Sequence, residues 1–515
     1  MSLLRSVMGS IGAVALSASV TGAAVGAASK TADDTAITIY SSAQPGAISP
    51  ELYRPIPGAG TPNAMSVPGY AMVRHERTVR LDSGRSTLRF ADVAGLIDPT
   101  TVTFTSLSDP ATRVLEQNFQ FDLVSSEKLL LKYLDKPITV ERVLGNQSVQ
   151  LTGTLLSSVD GLVLRGSDGS IHSLRDYSAL RFPDLPGGLI TRPTLEWQIL
   201  APRGGDQRSR VTYQTGGLTW WADYNLIFNE GKDPNSGLLD LSAWVSIINQ
   251  SGTTYPEAKL KLIAGDVHRA ATPGPQQLGR IMALADKSME REEAGFDQKA
   301  FFEFHLYTLG RRTTLPNNST KQIELFDQAR QIPARKILVY YGLAQDYGWG
   351  SPMTDRDLGL AMNKKVDVYL EFRNDKQYGL GVPLPAGRIR VSQLDTADDS
   401  LEFIGEDTID HTPKDEKVRV KLGSAFDVVG ERRQVDFAVD TKGRWMEEEI
   451  EVKLRNRKEQ AVEVIVKENL YRWTNWKILT KTQEFEKQDA RTIHFPVRIA
   501  KGAEAIVRYR VRYSW

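Results

Sequence analysis

The chain has 515 residues, a length that suggests about three domains, and its 41% hydrophobic and 25% charged residues are the proportions of an ordinary globular protein. It has no cysteine, which excludes disulfide staples, thiolate nucleophiles and Cys-ligated zinc. Its 64 Lys plus Arg balance 63 Asp plus Glu, so no chain-wide field draws in a phosphate backbone and nucleic acid is not an expected partner.

Arg5 precedes an uncharged run from Ser6 to Ala24, and small residues follow at Ala24, Gly26, Ala27 and Ala28. This pattern predicts a secretory signal peptide over residues 1–28 and a periplasmic or secreted bacterial protein. Without a lipid-accepting cysteine no lipoprotein anchor is expected. No later uncharged apolar run reaches about 18 residues, so no transmembrane helix is expected after leader removal.

Beyond the leader the hydrophobic pattern has period two, punctuated by Gly, Pro, Asn and Asp, which predicts short strands. An N-terminal β-domain is expected over 35–125, with strands at Ala36–Tyr40, Tyr70–Leu81, Ser86–Phe90, Thr101–Thr105 and Arg113–Leu123. A Pro/Gly-rich loop covers 43–69, and Asp82-Ser83-Gly84 reads as a hairpin turn. Residues 129–186 carry compact alternating strands joined at Gly145-Asn146 and Ser167-Asp168-Gly169, an order that resembles SH3-like or Sm-like small barrels. Strands resume over 192–446, interrupted at 273–299 by an exposed helical or flexible insertion. A C-terminal β-sandwich is expected over 447–515, where Ile450, Val452 and Leu454 face Val462, Val464 and Val466 across a turn at Arg455 to Lys458. In the last strand Val507, Tyr509, Val511 and Tyr513 alternate with Arg508, Arg510 and Arg512. The fold class is therefore mainly β, several antiparallel β-sandwich-like domains with an inserted SH3/Sm-like small barrel.

Several longer motifs resemble one family. They are Trp220-Trp221-Ala222-Asp223-Tyr224, the SIINQSG segment ending at Gly252, LKLIAGD ending at Asp266, and GLGVPLPAGRIRV from Gly379 to Val391. FIGED from Phe403, HTPKDE from His411 and LGSAFD from Leu422 complete the set. Together they are similar to the bacterial domain-of-unknown-function family 4139, relatives of mucoidy inhibitor A, over roughly Arg192 to Trp515. Long members of that family carry a coiled coil where this chain has the small-barrel segment. The resemblance implies a short-form envelope protein with no established activity.

No metal, cofactor or nucleophile motif is present, and no cofactor is expected; the six His are dispersed. The best catalytic candidates are Glu406, Asp407, Asp410 and His411, in an acidic cluster that also holds Asp415 and Glu416. Two separated carboxylates can run acid–base chemistry on a glycan, while interleaved lysines favour a solvated loop. Trp220, Trp221, Tyr224, Trp473 and Trp476 are candidate interaction aromatics, although the apolar neighbours Leu226 and Ile227 favour core packing for the first group. The sequence thus points to a non-enzymatic exported binding or structural protein whose partner is an envelope protein or polysaccharide. A glycan hydrolase using the 406–416 loop is one alternative. An outer-membrane β-barrel closed by the strand ending at Trp515 is another.

Overall fold

The computed structural model describes residues 33–40, 48–54, 63–120, 122–144, 147–233, 235–265, 296–301, 304–343, 350–359, 362–395 and 397–515. The expected leader lies outside them, as do residues 273–295 of the expected insertion. Its last residues belong to a strand, Phe296–Phe301, which corrects the helical or flexible reading there.

The protein is mainly β, 64% strand against 4% helix. Alternation is the cause: in Val462–Asn469 the side chains of Val462, Val464 and Val466 are buried while those between them are not. Four sheets form among the described residues. Eight strands make one sheet that joins the N-terminal Asp34–Tyr40, Tyr70–Leu81 and Ile97–Ser106 to Gly205–Thr215 and Tyr255–Ala264. Strands of 35–125 therefore share a sheet with strands beyond 192. A three-stranded sheet, Gly84–Ala91, Thr194–Ala201 and Arg113–Gln120, adds Phe90, Trp197 and Leu195 to the same core.

Asp82-Ser83-Gly84 is not a hairpin turn. Tyr70–Leu81 pairs with Asp34–Tyr40 and Gly205–Thr215, whereas Gly84–Ala91 pairs with Thr194–Ala201. The chain changes sheets at this corner, with Gly84 at φ +88°.

The thirteen-stranded sheet holds most of the C-terminal half, including Leu218–Glu230, Ser236–Asn249, Ser319–Tyr341 and Lys417–Asp440. Two cores hang on it. One gathers Trp220, Tyr224, Leu241, Ile389 and Val420 with the N-terminal sheets; the other gathers Tyr340, Ile450, Val464, Phe495 and Tyr509. Ser319–Tyr341 contributes to both. Trp445–Asn456 and Val462–Asn469 do not form the expected hairpin: the first pairs with 417–440 and Glu504–Ser514, the second with 319–341 and Thr492–Ile499. Their apolar faces still meet in the second core.

The closing strand 504–514 buries Val507, Tyr509, Val511 and Tyr513, and its arginines pair outward across the ladder. Arg508 meets Glu451, Arg510 meets Glu449 at 2.6 Å, and Arg512 meets Glu447. The sheet's outer strands, Ser400–Ile409 and Trp476–Lys481, do not pair with each other, so it does not close by hydrogen bonding. No helix among the described residues is long and apolar enough to cross a membrane.

The inserted segment forms its own five-stranded sheet, in the order Ala179–Arg181, Pro137–Leu144, Gln147–Ser157, Leu162–Arg165, Ile171–Leu174. The last of these strands in the chain, Ala179–Arg181, pairs with the first, Pro137–Leu144, and the segment has a separate core of Tyr133, Ile138, Val140, Leu155 and Leu164. The sheet stays open, because its two outer strands do not pair.

Candidate functional site

The acidic cluster does not converge. Glu406 and Asp407 are neighbours on strand 400–409 and so leave it on opposite faces. Glu406 pairs with Arg390 at 2.9 Å. Asp407 Oδ2 accepts the Lys421 backbone N–H at 2.7 Å, tying the edge strand to 417–440, where no ladder joins the two. Asp410, Asp415 and Glu416 are exposed. His411 Nδ1 accepts the Ala386 N–H at 3.0 Å.

The motifs around this cluster form a structural knot. Its centre is Asn374, a fully buried residue with no sequence signal of its own. Asn374 Nδ2 donates to Val382 O at 2.7 Å and Pro413 O at 2.9 Å, and Oδ1 accepts Gly381 N–H at 2.9 Å. Gly381 at φ +82° makes that last contact possible, and Leu384 and Thr412 exchange backbone hydrogen bonds. GLGVPLPAG and HTPKDE thus bind each other.

The first group of aromatics is core. Trp220 packs edge-on to Tyr307, and the Tyr224 hydroxyl donates to Pro385 O at 2.8 Å. Trp221 is covered by the described part of the Pro/Gly-rich segment, where Leu52 of the short helix Pro50–Tyr53, Ile48 and Val67 pack on it and Ile248. That burial bears out the favoured core packing and removes Trp220, Trp221 and Tyr224 as candidate interaction aromatics. Trp473 and Trp476 are half-buried against the second core.

A second concentration of ionisable groups lies inside that core. Arg432 pairs with Glu468 at 3.0 Å and Arg472 with Glu448 at 2.8 Å, all four buried. Arg472 also donates to the carbonyls of Met353 and Asp355, at 2.9 and 2.6 Å, fastening segment 350–359. Each buried charge is paired with an opposite one, although Arg432 Nη2 is left without a hydrogen-bond partner.

A cleft of about 660 Å³ lies where the N-terminal sheet meets the crossover turn after Ser236–Asn249. That turn is the NQSG motif, which leads into the other sheet and is not a hairpin. Asn249 Nδ2 donates to the carbonyls of Thr253, Leu315 and Pro316, while Ser251 O accepts Gly95 N–H at 2.7 Å. Gly252 sits at φ +93°, and a Cβ there would lie 3.0 Å from Gly95 N, so only glycine suits this crossing.

His75, Arg77, Asp92, Arg192, Asp33 and Asn317 line the cleft. His75 is buried: Nδ1 hydrogen-bonds Thr35 Oγ1 and Nε2 the Tyr213 hydroxyl, each at 3.0 Å. Burial first, and the Arg77 charge second, push its pKa down to about 3. Thr35 and His75 have the spacing of a nucleophile and its base, but an imidazole this reluctant to hold a proton is a poor base near neutral pH. Arg77 lies over the Phe90 ring, 4.4 Å from its centroid, and donates to Ala91 O. Arg192 pairs with Asp92 at 2.6 Å. Two cations and two carboxylates, Asp33 and Asp92, leave the mouth electrically balanced and rich in hydrogen-bonding groups, a surface suited to holding a polar ligand.

Sequence reasoning passed over His75 as one dispersed histidine among six. The only sequence signal was its place on the apolar face of Tyr70–Leu81, in step with Val73 and Ala71. No group of three or more His, Asp or Glu among the described residues is arranged to hold a metal ion. Comparison with family models, with curated proteins and with solved structures finds no match to this chain.

Proposed function

We propose that this protein is an exported, non-enzymatic binding or structural β-protein of the bacterial cell envelope, a short-form relative of family 4139. The His75 cleft is its binding face, for an envelope protein or polysaccharide. Export rests on the apolar run Ser6 to Ala24 and its small-residue exit. The observation that favours binding over hydrolysis is the use of the candidate acids: Glu406 is held by Arg390 and Asp407 by a backbone N–H. The Thr35–His75 pair in the cleft is built on a histidine that stays neutral.

The test is photo-crosslinking in the native envelope from position 254, an exposed threonine at the cleft, against Lys477 as a distant exposed control. One defined species should be captured at 254 and not at 477, and Arg77→Ala should remove it. Equal capture at both positions would defeat the cleft as the binding face. A glycan-cleaving activity lost in a folded Glu406→Ala protein would restore the hydrolase reading.

A further inference from the structure

The His75 cleft holds a cation and an anion that do not use each other. Asp34 lies opposite Glu76 and Thr35 opposite His75 in the antiparallel ladder. The next step outward brings Asp33 opposite Arg77, on the same face as Thr35 and His75, and all four line the cleft. Opposite charges at facing positions ordinarily pair. Here Arg77 turns away: its Nη1 donates to Ala91 O at 3.0 Å and its guanidinium lies over the Phe90 ring. Neither Arg77 nor Asp33 has an ion-pair partner among the described residues.

The remaining groups of the cleft are already satisfied. Arg192 and Asp92 pair with each other at 2.6 Å. Thr254 Oγ1 accepts the Asn317 N–H at 3.0 Å, and Asn317 Oδ1 accepts the Gly252 N–H at 3.1 Å. Pro193 and Pro256 add apolar surface. Arg77 and Asp33 are therefore the two charges of the mouth left for a ligand.

Their signs select its chemistry. An anion drawn to Arg77 meets the carboxylate of Asp33, and a cation drawn to Asp33 meets the guanidinium of Arg77. An uncharged sugar filling the cleft takes water from both charges and returns no countercharge. A carbon that bears both an ammonium and a carboxylate answers the two at once, through charge-assisted hydrogen bonds. Side chains at facing positions start about 5 Å apart at Cβ, so both ends of one such group are within reach. The volume of about 660 Å³ leaves room for whatever that carbon carries.

Taking the cleft as the binding face, we propose that it recognises an α-amino-acid group, the ammonium on Asp33 and the carboxylate on Arg77, either free or displayed by an envelope polymer. The test is isothermal titration calorimetry of the purified protein with a panel of free L- and D-amino acids, and with the Nα-acetyl and amide derivatives of any that binds. At least one amino acid should bind, and its two derivatives, each lacking one charge, should not. Asp33→Asn, at an exposed site, and Arg77→Gln should each weaken binding about tenfold or more, with the circular dichroism spectrum unchanged. The same amino acid is then added to the photo-crosslinking from position 254. Loss of the captured species assigns the group to an envelope polymer, and unchanged capture assigns it to a free amino acid. Amino-acid binding with no capture at 254 keeps this recognition and defeats the envelope partner. Absence of binding by every amino acid at about 10 mM overturns the proposal, as does a derivative that binds like its parent or an Asp33→Asn protein of undiminished affinity. Capture at 254 that persists in those cases leaves the cleft as the binding face and removes its zwitterionic ligand.

Discussion

His75 is the residue whose environment departs furthest from what its sequence position announced. Its two ring nitrogens are engaged by Thr35 and Tyr213, Arg77 is close by, and its pKa falls to about 3. In the unfolded chain the imidazole takes a proton near pH 6.5; in the folded protein it does not until about pH 3. Between those values the unfolded state binds the extra proton, so stability rises with pH across that window and is fully present above it. The slope is at most about 1.4 kcal/mol per pH unit. Urea unfolding of wild type and His75→Gln between pH 6.5 and 4 measures it: the wild type should lose stability faster on acidification, and parallel profiles would show that His75 is not held neutral. Asp34 and Glu371, whose carboxyl pKa values are lowered although burial opposes this, lose stability in the same direction at lower pH in both proteins and cancel in the difference. Residue type alone could not disclose any of this. Thr35 and Tyr213 lie 40 and 138 residues from His75 in the chain, and burial is set by sheets that the local pattern does not name.

At the scale of elements, alternation located the strands and misjudged some of their partners. Val462, Val464 and Val466 alternate as expected, yet their ladder runs to 319–341 and 492–499. A turn motif fixes direction only where both flanking strands stay in one sheet, and at Asp82-Ser83 and at NQSG they do not. The inserted module was the most legible part, because its contacts are local and its turns are short. Its chain ends also meet: Val124 N–H donates to Ile190 O, and Ile190 N–H donates to Asp122 O, each at 3.0 Å. With its own core and adjacent ends, the module is removable. Replacing residues 125–188 by a short Gly-Ser link should leave the melting temperature of the rest unchanged, and fragment 122–190 alone should give dispersed amide shifts by NMR. A random-coil spectrum would mean that Tyr133, Ile138 and Leu164 need neighbours outside the module.

For the whole molecule the two large cores are the relevant units, and they are not separable in the way the sequence suggested. The expected boundary at 446/447 falls inside strand 445–456, which pairs with 417–440. Ser319–Tyr341 carries Ile323 and Ile332 in one core and Leu338 and Tyr340 in the other; Lys417–Asp440 carries Val420 and Val428 likewise. Losing either core strips the shared strands of half their partners. Calorimetry should therefore show one transition for both, with calorimetric and van't Hoff enthalpies equal once the removable module is deleted. Two resolved transitions would mean that the shared strands break at their bulges. These two strands have 23 and 24 residues, a contour of about 75 Å each at an ordinary strand rise. Each flanks strand 365–373 over part of that length, at 334–340 and at 417–429, and runs on from there into the other core. A force drawn across one core therefore reaches the other along continuous covalent backbone, and the two resist it together.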